Sequence, residues 1–217
     1  MEVAIEIPGV RLGFVEADAV TVGPASAELV REVDEECARI RRKFTVEALA
    51  EAQAIVAVRT MFRKWGLDPS KYRPSSEALL RRVVQGKGLY HVSNVVDAGN
   101  LGSIETGWPY GVYNRAAISA EICLRLGAAG EKYEGIGKRV WHLEGRPVLA
   151  DAMGPFGSPI SDSTRTQVRE GVSEILAVIY APATASESAL HAAAEKQARR
   201  LEAHAGARAT SLNVTGS

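Results

Sequence analysis

Helical patterns fill much of the first half of the chain and strand patterns much of the second, and this order limits the fold classes that fit. Apolar residues recur at intervals of three and four over about 27–43, and again, behind a Thr45 cap, over about 46–65. A third helix is predicted over 77–85, capped by Ser75 or Ser76. Strand patterns follow over residues 117–126, 139–143, 147–151 and 173–180. Because helices and strands do not alternate, we expect an α+β fold with an antiparallel sheet rather than a doubly wound one.

The ends of the chain add shorter elements to this outline. Two short strands are predicted over 3–8 and 11–15, and a hairpin is expected around Glu144-Gly145-Arg146. Thr184-x-x-Glu187 is typical of a capping box for an alanine-rich helix that ends near His204, before Gly206. The last ten residues are predicted to be a frayed tail or an edge strand.

Composition favours one ordinary globular domain over residues 1–217. Apolar residues make up 46% of the chain and charged residues 24%. We see no signal peptide and no apolar run long enough to cross a membrane, so we expect a cytoplasmic protein without a membrane partner. Cys37 and Cys123 are expected to be free thiols, and the spacing of histidines and cysteines predicts no metal site.

Charge is unevenly distributed although the net charge is zero. Residues 59–87 hold eight basic and two acidic side chains, whereas residues 1–58 are acidic overall. A basic face fits a phosphate-bearing partner, and a solvated helix surface is the alternative. The residues expected to contact RNA are Arg63, Lys64, Arg81 and Arg82.

The segment from Val95 to Glu105 sets polar residues into an apolar pattern. Asp97, Asn100 and Glu105 lie close together among valine, leucine and isoleucine. Buried polar groups are unfavourable unless they are paired, so this density predicts a pocket. The alternatives are a turn held by Asn100, a helix start at Asp97 and an exposed Glu105.

The same region resembles a known family. VVDAGN…ETGWPYGVYN is similar to the B3/B4 domain of the bacterial phenylalanyl-tRNA synthetase beta subunit, in which an Asp-x-x-Asn segment leads into a Gly-x-Pro turn. RPSSEALLRR is similar to a helix of free-standing B3/B4 proteins, and VLADAMGPFGSPISDSTRT resembles the family's second site-forming region. The matching parts together span roughly residues 55 to 180.

The resemblance implies a beta-sandwich-like core of unusual topology, flanked by helices, and a tRNA-editing activity. The family's Asp-x-x-Asn falls on Asp97 and Asn100, and its Gly-x-Pro on Gly107 and Pro109. Its pocket histidine is replaced by Gly111, so substituting histidine there is expected to favour activity toward tyrosyl esters. The family's specificity glutamate has no secure counterpart, although Gln167 and Glu170 lie in that region.

Candidate catalytic groups follow from both regions. No GxSxG elbow, P-loop or GxGxxG motif is visible. The glycines of the Gly154–Ser158 turn permit close backbone approach, so we expect the N–H groups of Gly157 and Ser158 to face an ester carbonyl while Asn100 orients the aminoacyl group. Arg165 is expected to bind an anionic group or to pair with Asp162. The other expected substrate contacts are Asp97, Tyr110, Gly111, Tyr113, Asp151, Gly154 and Asp162.

Three functions are consistent with these features. The leading hypothesis is a protein that binds the aminoacylated end of tRNA and hydrolyses mischarged esters without a cofactor. The second is a non-catalytic module that binds an amino acid or a small metabolite. The third is an RNA-binding scaffold with a degenerate pocket.

Overall fold

The centre of the fold is a pair of four-stranded sheets, in a computed structural model that describes residues 3–119 and 121–216, with the backbone alone at residue 210. The first sheet has the order β1-β4-β7-β8. Its strands are Val3–Ile5, Ile122–Leu126, Pro147–Asp151 and Gly154–Gly157. The second has the order β10-β2-β9-β3. Its strands are Arg208–Thr215, Val10–Asp18, Ile175–Pro182 and Tyr110–Asn114.

The main core lies between the two sheets. Leu124, Leu149 and Phe156 of the first sheet meet Leu176, Val178 and Tyr180 of β9. Alternate β9 residues, including Ala177 and Ile179, face a second apolar cluster on the other side of the sheet. Because β9 is covered on both faces, all eight of its residues are buried and its sequence is a continuous apolar run.

Helices cover the outer face of the second sheet and extend beyond it. They are α1 Ala27–Lys43, α2 Val46–Glu51, α3 Gln53–Lys64, α4 Ser75–Val84, α5 Asn94–Thr106 and α6 Glu187–Ala205. Both α5 and α6 pack on the sheet, whereas α3 closes one side of the main core through Val58, Met61 and Phe62. None of the helices in the described ranges is long and apolar enough to cross a membrane.

A small two-stranded arm covers the outer face of the first sheet. It consists of β5 Lys132–Glu134 and β6 Val140–His142. Tyr133 and Leu143 pack against Val148 of β7 and form a separate apolar cluster. The arm also contacts the loop that follows β8, because its turn residue Ile136 donates a backbone hydrogen bond to Asp162 O over 3.1 Å.

The predicted α+β class is confirmed, and four details differ from expectation. The pairing of β1 with β4 is parallel, so the first sheet is mixed. The hairpin expected around Gly145 is wrong, because β6 pairs with β5 while β7 pairs with β4 and β8. The long helix over 46–65 is divided at Ala52, whose ψ of 131° is extended. The N-cap residue of α4 is Pro74 and not Ser75 or Ser76, and the N-cap residue of α6 is Ser186 and not Thr184.

Candidate functional site

A buried chain of hydroxyl groups ends on the carboxyl group of Asp162, between the two sheets. The Tyr113 hydroxyl donates to Asp162 Oδ1 over 2.8 Å and lies 3.1 Å from the Tyr180 hydroxyl. Since the single proton of Tyr113 goes to Asp162, Tyr180 must be the donor to Tyr113. Tyr113 and Tyr180 are fully buried, and burial raises the pKa of both phenols well above 10.

Asp162 is a carboxyl group poised to gain or lose a proton near neutrality. Burial raises its pKa to about 7, although hydrogen bonds from Tyr113 and from the Ser158 N–H act in the opposite direction. The residue keeps some solvent exposure at the surface loop that follows β8. A carboxyl group with this pKa can serve as an acid or a base at physiological pH.

Two glycines enclose the Tyr113 ring from both sheets. A Cβ atom at Gly111 or at Gly157 would overlap the phenol of Tyr113. Phe156 contacts the same ring edge-on, with 5.2 Å between ring centroids. The Tyr113 phenol therefore fills the space beside the Cα atom of Gly111.

Substitution of Gly111 by alanine is expected to destabilise the protein by about 1–3 kcal/mol, as overpacking of a buried site does. Tyr113 cannot move aside, since its hydroxyl is held by Asp162 and Tyr180. Urea unfolding of Gly111→Ala measures the effect, and Gly137→Ala is the matched control because a Cβ there meets open space. Equal stability of the two variants would contradict this packing. The histidine substitution considered above would meet the same obstacle and is expected to lower activity through the fold.

The loop after β8 is held by its own hydrogen bonds. Ser158 Oγ donates to Ser161 O over 2.7 Å and accepts from the Ser161 N–H over 3.0 Å. Its backbone N–H donates to Asp162 Oδ1 over 3.2 Å, so this expected oxyanion donor already has a partner. The Tyr133 hydroxyl, from the arm, donates to Ser161 O over 2.5 Å. Ser158 and the preceding residue Gly157 thus lie next to Asp162.

Asp151 and Arg165 form a second, separate ion pair. The Asp151 carboxylate is buried and receives two hydrogen bonds from Arg165, over 2.9 and 3.1 Å, and one from the Ser119 N–H. Burial favours the neutral acid, but these donors outweigh it and lower the pKa of Asp151. Arg165 also donates to the carbonyl of Gly154. The pairing of Arg165 with Asp162 is wrong, and the Asp151 pair fixes the turn between β7 and β8.

Asn100 and Tyr110 lie on the opposite face of the second sheet from Asp162. Along β3, Gly111 and Tyr113 face the main core, whereas Tyr110 and Val112 face α5. The helix approaches closely because Gly99 and Gly102 carry no side chain against Val112 and Tyr110. Tyr110 and Tyr113 therefore do not line one cavity. Since β3 is the edge strand, a ligand that touches both Asn100 and the Ser158 loop must reach around this edge.

Asp97 is buried in the first turn of α5 and orients the segment before it. It accepts from the Val92 N–H over 2.9 Å, and its other oxygen lies 3.4 Å from His91 Nδ1. His91 and Val92 line a cavity of about 600 Å³ together with Val22, Val30, Val168, Arg169 and Glu170. Glu105, at the other end of α5, is paired with Lys196 and Arg200 and is not the exposed residue expected. The polar residues of this helix therefore hold neighbouring segments in place, and the segment that Asp97 holds also borders a cavity.

The basic segment contains one buried acid that holds its arginines. Glu77 on α4 accepts from Arg59 Nε and Nη2 over 2.8 and 2.7 Å and from Arg81 Nε over 2.7 Å. Burial favours the neutral acid, but the arginines outweigh it and lower the pKa of Glu77. Arg81 is consequently committed to an internal ion pair. Arg82 stacks on the Tyr90 ring, 3.7 Å from its centroid, while Arg63 and Lys64 are exposed at the end of α3.

Sequence reasoning missed Tyr133 and Tyr180, because neither lies near the recognised motifs and long-range contacts leave no local signal. It also missed Asn94, which is buried and bonds to Gly23, Thr21 and His204. Within the described ranges, no group of three or more His, Cys, Asp or Glu side chains converges as a metal ion would require.

Comparisons with known proteins identify the family. Residues 57–210 match the B3/4 domain family, and since this is well over half of the chain, the protein belongs to that family. No curated protein matches. A similar solved structure is the N-terminal fragment of the phenylalanyl-tRNA synthetase beta subunit from Pyrococcus horikoshii, at 12% identity and a TM-score of 0.47. The match covers 100% of this chain and 55% of that one, so the chain spans about half the length of the fragment.

Proposed function

We propose that the protein binds the aminoacylated end of tRNA and hydrolyses mischarged aminoacyl esters. The observation that carries this proposal is the carboxyl group of Asp162, with its pKa of about 7, in the loop that begins at Ser158 directly after Gly157 of β8. Membership of the B3/4 domain family supports a role connected with tRNA synthetases. The ester is already an activated bond, so a positioned water and a nearby base suffice.

The proposed reaction uses Asp162 as the base. Its carboxylate takes a proton from water and the resulting hydroxide adds to the ester carbonyl. The bond to the ribose oxygen then breaks as that oxygen takes the proton from Asp162, which restores the carboxylate. Protonation of Asp162 weakens it as an acceptor for the Ser158 N–H, and this N–H can then turn to the developing oxyanion beside Gly157. Asn100 orients the aminoacyl group from the other side of the β3 edge.

The body of the tRNA is proposed to lie on the exposed cations at the ends of α3 and α4. Arg63 and Lys64 are exposed, and Arg82 keeps part of its guanidinium accessible above Tyr90. Arg81 contributes less, because Glu77 offsets its charge. Phosphate contacts of this kind weaken steeply as the salt concentration rises.

Deacylation of mischarged tRNAs by purified protein tests the proposal. We expect Asp162→Asn and Asn100→Ala to lower the rate by about 100-fold, the effect of losing one positioned catalytic contact. Asparagine keeps the size of Asp162 and its bond to Tyr113, so circular dichroism should show an intact fold. Asp34→Asn, at an exposed position on α1, is the control and should retain full activity. An unchanged rate in Asp162→Asn would refute the assignment of the base.

A non-catalytic module that binds a small metabolite is the second candidate, and the cavity beside His91 favours it. Its volume of about 600 Å³ lies in the range of small-molecule sites, and its valine-rich wall is bordered by Arg169 and Glu170. If the wild-type protein hydrolyses no aminoacyl-tRNA but melts at a higher temperature with a free amino acid, and Arg169→Ala abolishes that shift, this candidate replaces the first.

A further inference from the structure

A cluster of cations and aromatic rings lies on the surface next to the Asp162 loop. We call Lys71, Tyr72, Arg139, Trp141 and Arg146 the stacking surface. The Arg146 guanidinium lies 4.4 Å from the centroid of Tyr72 and 6.0 Å from that of Trp141. Arg139 lies 4.9 Å from Trp141, and Lys71 Nζ lies 5.4 Å from Tyr72. Two partly exposed rings are thus surrounded by three positive charges.

The cations of the stacking surface are available to an anionic partner. Arg146 Nη2 donates a hydrogen bond over 3.3 Å to the Tyr72 hydroxyl, and this acceptor is neutral. No ion pair among the described residues involves Lys71, Arg139 or Arg146, unlike Arg59 and Arg81 on the neighbouring helices. Residues 132–146 contain four basic and two acidic side chains, so this arm is positive overall.

The glycine at position 135 leaves room for the Trp141 ring on the arm. A Cβ atom at Gly135 would lie 2.6 Å from both Cδ1 and Nε1 of Trp141, so glycine is required for the indole to lie across β5. Trp141 pairs with Tyr133 across the arm, and Tyr133 reaches Ser161. The Ser75 N–H, just after Tyr72 and Arg73, donates to Pro159 O over 3.0 Å. Both ring-bearing segments therefore adjoin the loop from Ser158 to Asp162.

We propose that the stacking surface binds the unpaired 3′ end of an RNA and guides it to the Asp162 loop. Bases stack on Tyr72 and Trp141, while Arg139, Arg146 and Lys71 neutralise the phosphates. Paired bases are hidden inside a duplex, whereas single strands offer their flat faces to aromatic rings and arginines. The surface adds a partner contact to the proposed function, on which it rests, and lies apart from the basic ends of α3 and α4.

Binding of a short unstructured RNA, compared with the same RNA annealed to its complement, tests this surface. We expect the single strand to bind more tightly and to quench tryptophan fluorescence. Trp141→Ala and Arg146→Ala should each weaken single-strand binding by about 5- to 150-fold, as loss of one base-stacking contact does. Arg199→Ala, an exposed cation on α6, is the control and should bind as wild type. Tyr90→Ala removes the other exposed arginine–aromatic pair and should have little effect on the single strand.

Each result decides for or against the stacking surface. Single-strand binding within twofold of wild type in Trp141→Ala and Arg146→Ala, or a larger loss in Tyr90→Ala, would overturn it, as would equal affinity for the duplex. Absence of RNA binding by the wild type overturns it as well. The deacylation assay decides the proposed function separately. If the wild-type protein binds the single strand but hydrolyses no aminoacyl-tRNA, that function alone is refuted. If the wild type hydrolyses the ester but Trp141→Ala and Arg146→Ala bind the single strand normally, the stacking surface alone is refuted.

Discussion

The stability of the wild-type protein should fall as the pH rises from about 4 to about 7, by up to about 4 kcal/mol through Asp162 alone. The pKa of Asp162 is raised by burial from its ordinary 3.8 to about 7. Between these values the unfolded chain has released the proton while the folded chain still holds it. The folded state therefore binds more protons, and its advantage shrinks by about 1.4 kcal/mol for each pH unit. Above pH 7 this contribution should be constant.

Urea unfolding of wild type and Asp162→Asn at half-unit intervals from pH 4 to pH 8 measures this dependence. Other carboxyl groups titrate in both proteins, so the difference between the two curves isolates Asp162. We expect that difference to favour wild type at low pH and to decline up to about pH 7. Asp34→Asn should show no such trend, since its side chain is exposed. Parallel curves for wild type and Asp162→Asn would show that the carboxyl group titrates normally.

Removal of the Glu77 carboxylate should destabilise the fold by about 3 kcal/mol, near the lower end of the 3–5 kcal/mol found when a buried ion pair loses one partner. The Glu77 side chain is 1% exposed, whereas Arg59 and Arg81 are 19% and 23% exposed. The arginines can turn part of their charge toward water, which keeps the loss near the lower end. Their contacts also join α3 to α4, so the helices should loosen together.

Denaturant unfolding of Glu77→Ala measures this loss, with Glu195→Ala as the matched control. Glu195 also pairs with a basic residue on its own helix, but its side chain is 46% exposed, so its removal should change stability by less than about 1 kcal/mol. Glu77→Gln keeps the size and some hydrogen bonds and should be intermediate. A change in Glu77→Ala as small as that of Glu195→Ala would mean that the buried pair contributes no more than a surface pair.

Elements with a strong local pattern were predicted well from the sequence. The bounds of α1 agree with its apolar periodicity, and the run ILAVIY lies in the buried strand β9. Gly206 has a φ of 62° and ends α6 as a left-handed cap, and Arg208–Thr215 forms the edge strand β10. In each case the signal lies within a few residues of the element, where periodicity and backbone preference act.

The predictions that were wrong concern features that depend on contacts between segments distant in sequence. The predicted helix over 46–65 is interrupted at Ala52, where the sequence has no glycine or proline that would indicate a break. Leu49 and Ile55 nevertheless face the same core cluster, which one straight helix would prevent because six residues rotate it by about 240°. The chain turns at Gly145, but β6 pairs with β5 and not with β7. No residue in the turn indicates which strand β6 pairs with. Likewise, Asp162 is closer than Asp151 to Arg165 in sequence, but the Arg165 guanidinium forms its ion pair with Asp151.

Part of the arrangement of the candidate site residues could be predicted from the sequence. The proximity of Gly157 and Ser158 to Asp162 follows from the chain, since the loop from Ser158 to Asp162 begins directly after Gly157 of β8. The separation of Tyr110 from Tyr113 could have been predicted, because residues three apart point to opposite faces of a strand. The bond between Tyr180 and Tyr113 and the contact of Tyr133 with this loop could not, since they join segments far apart in sequence and depend on how the sheets and the arm pack.

The enclosure of Tyr113 by two glycines constrains how this sequence can diverge. A descendant cannot acquire a side chain at Gly111 or Gly157 by one substitution without overlap with the phenol. A smaller residue at position 113 would have to come first, and it would leave Asp162 without its hydroxyl donor and open a void beside Phe156. Positions 111, 113 and 157 should therefore change together or not at all among close relatives, so that ancestry and not substrate alone determines which side chains can line this part of the sandwich.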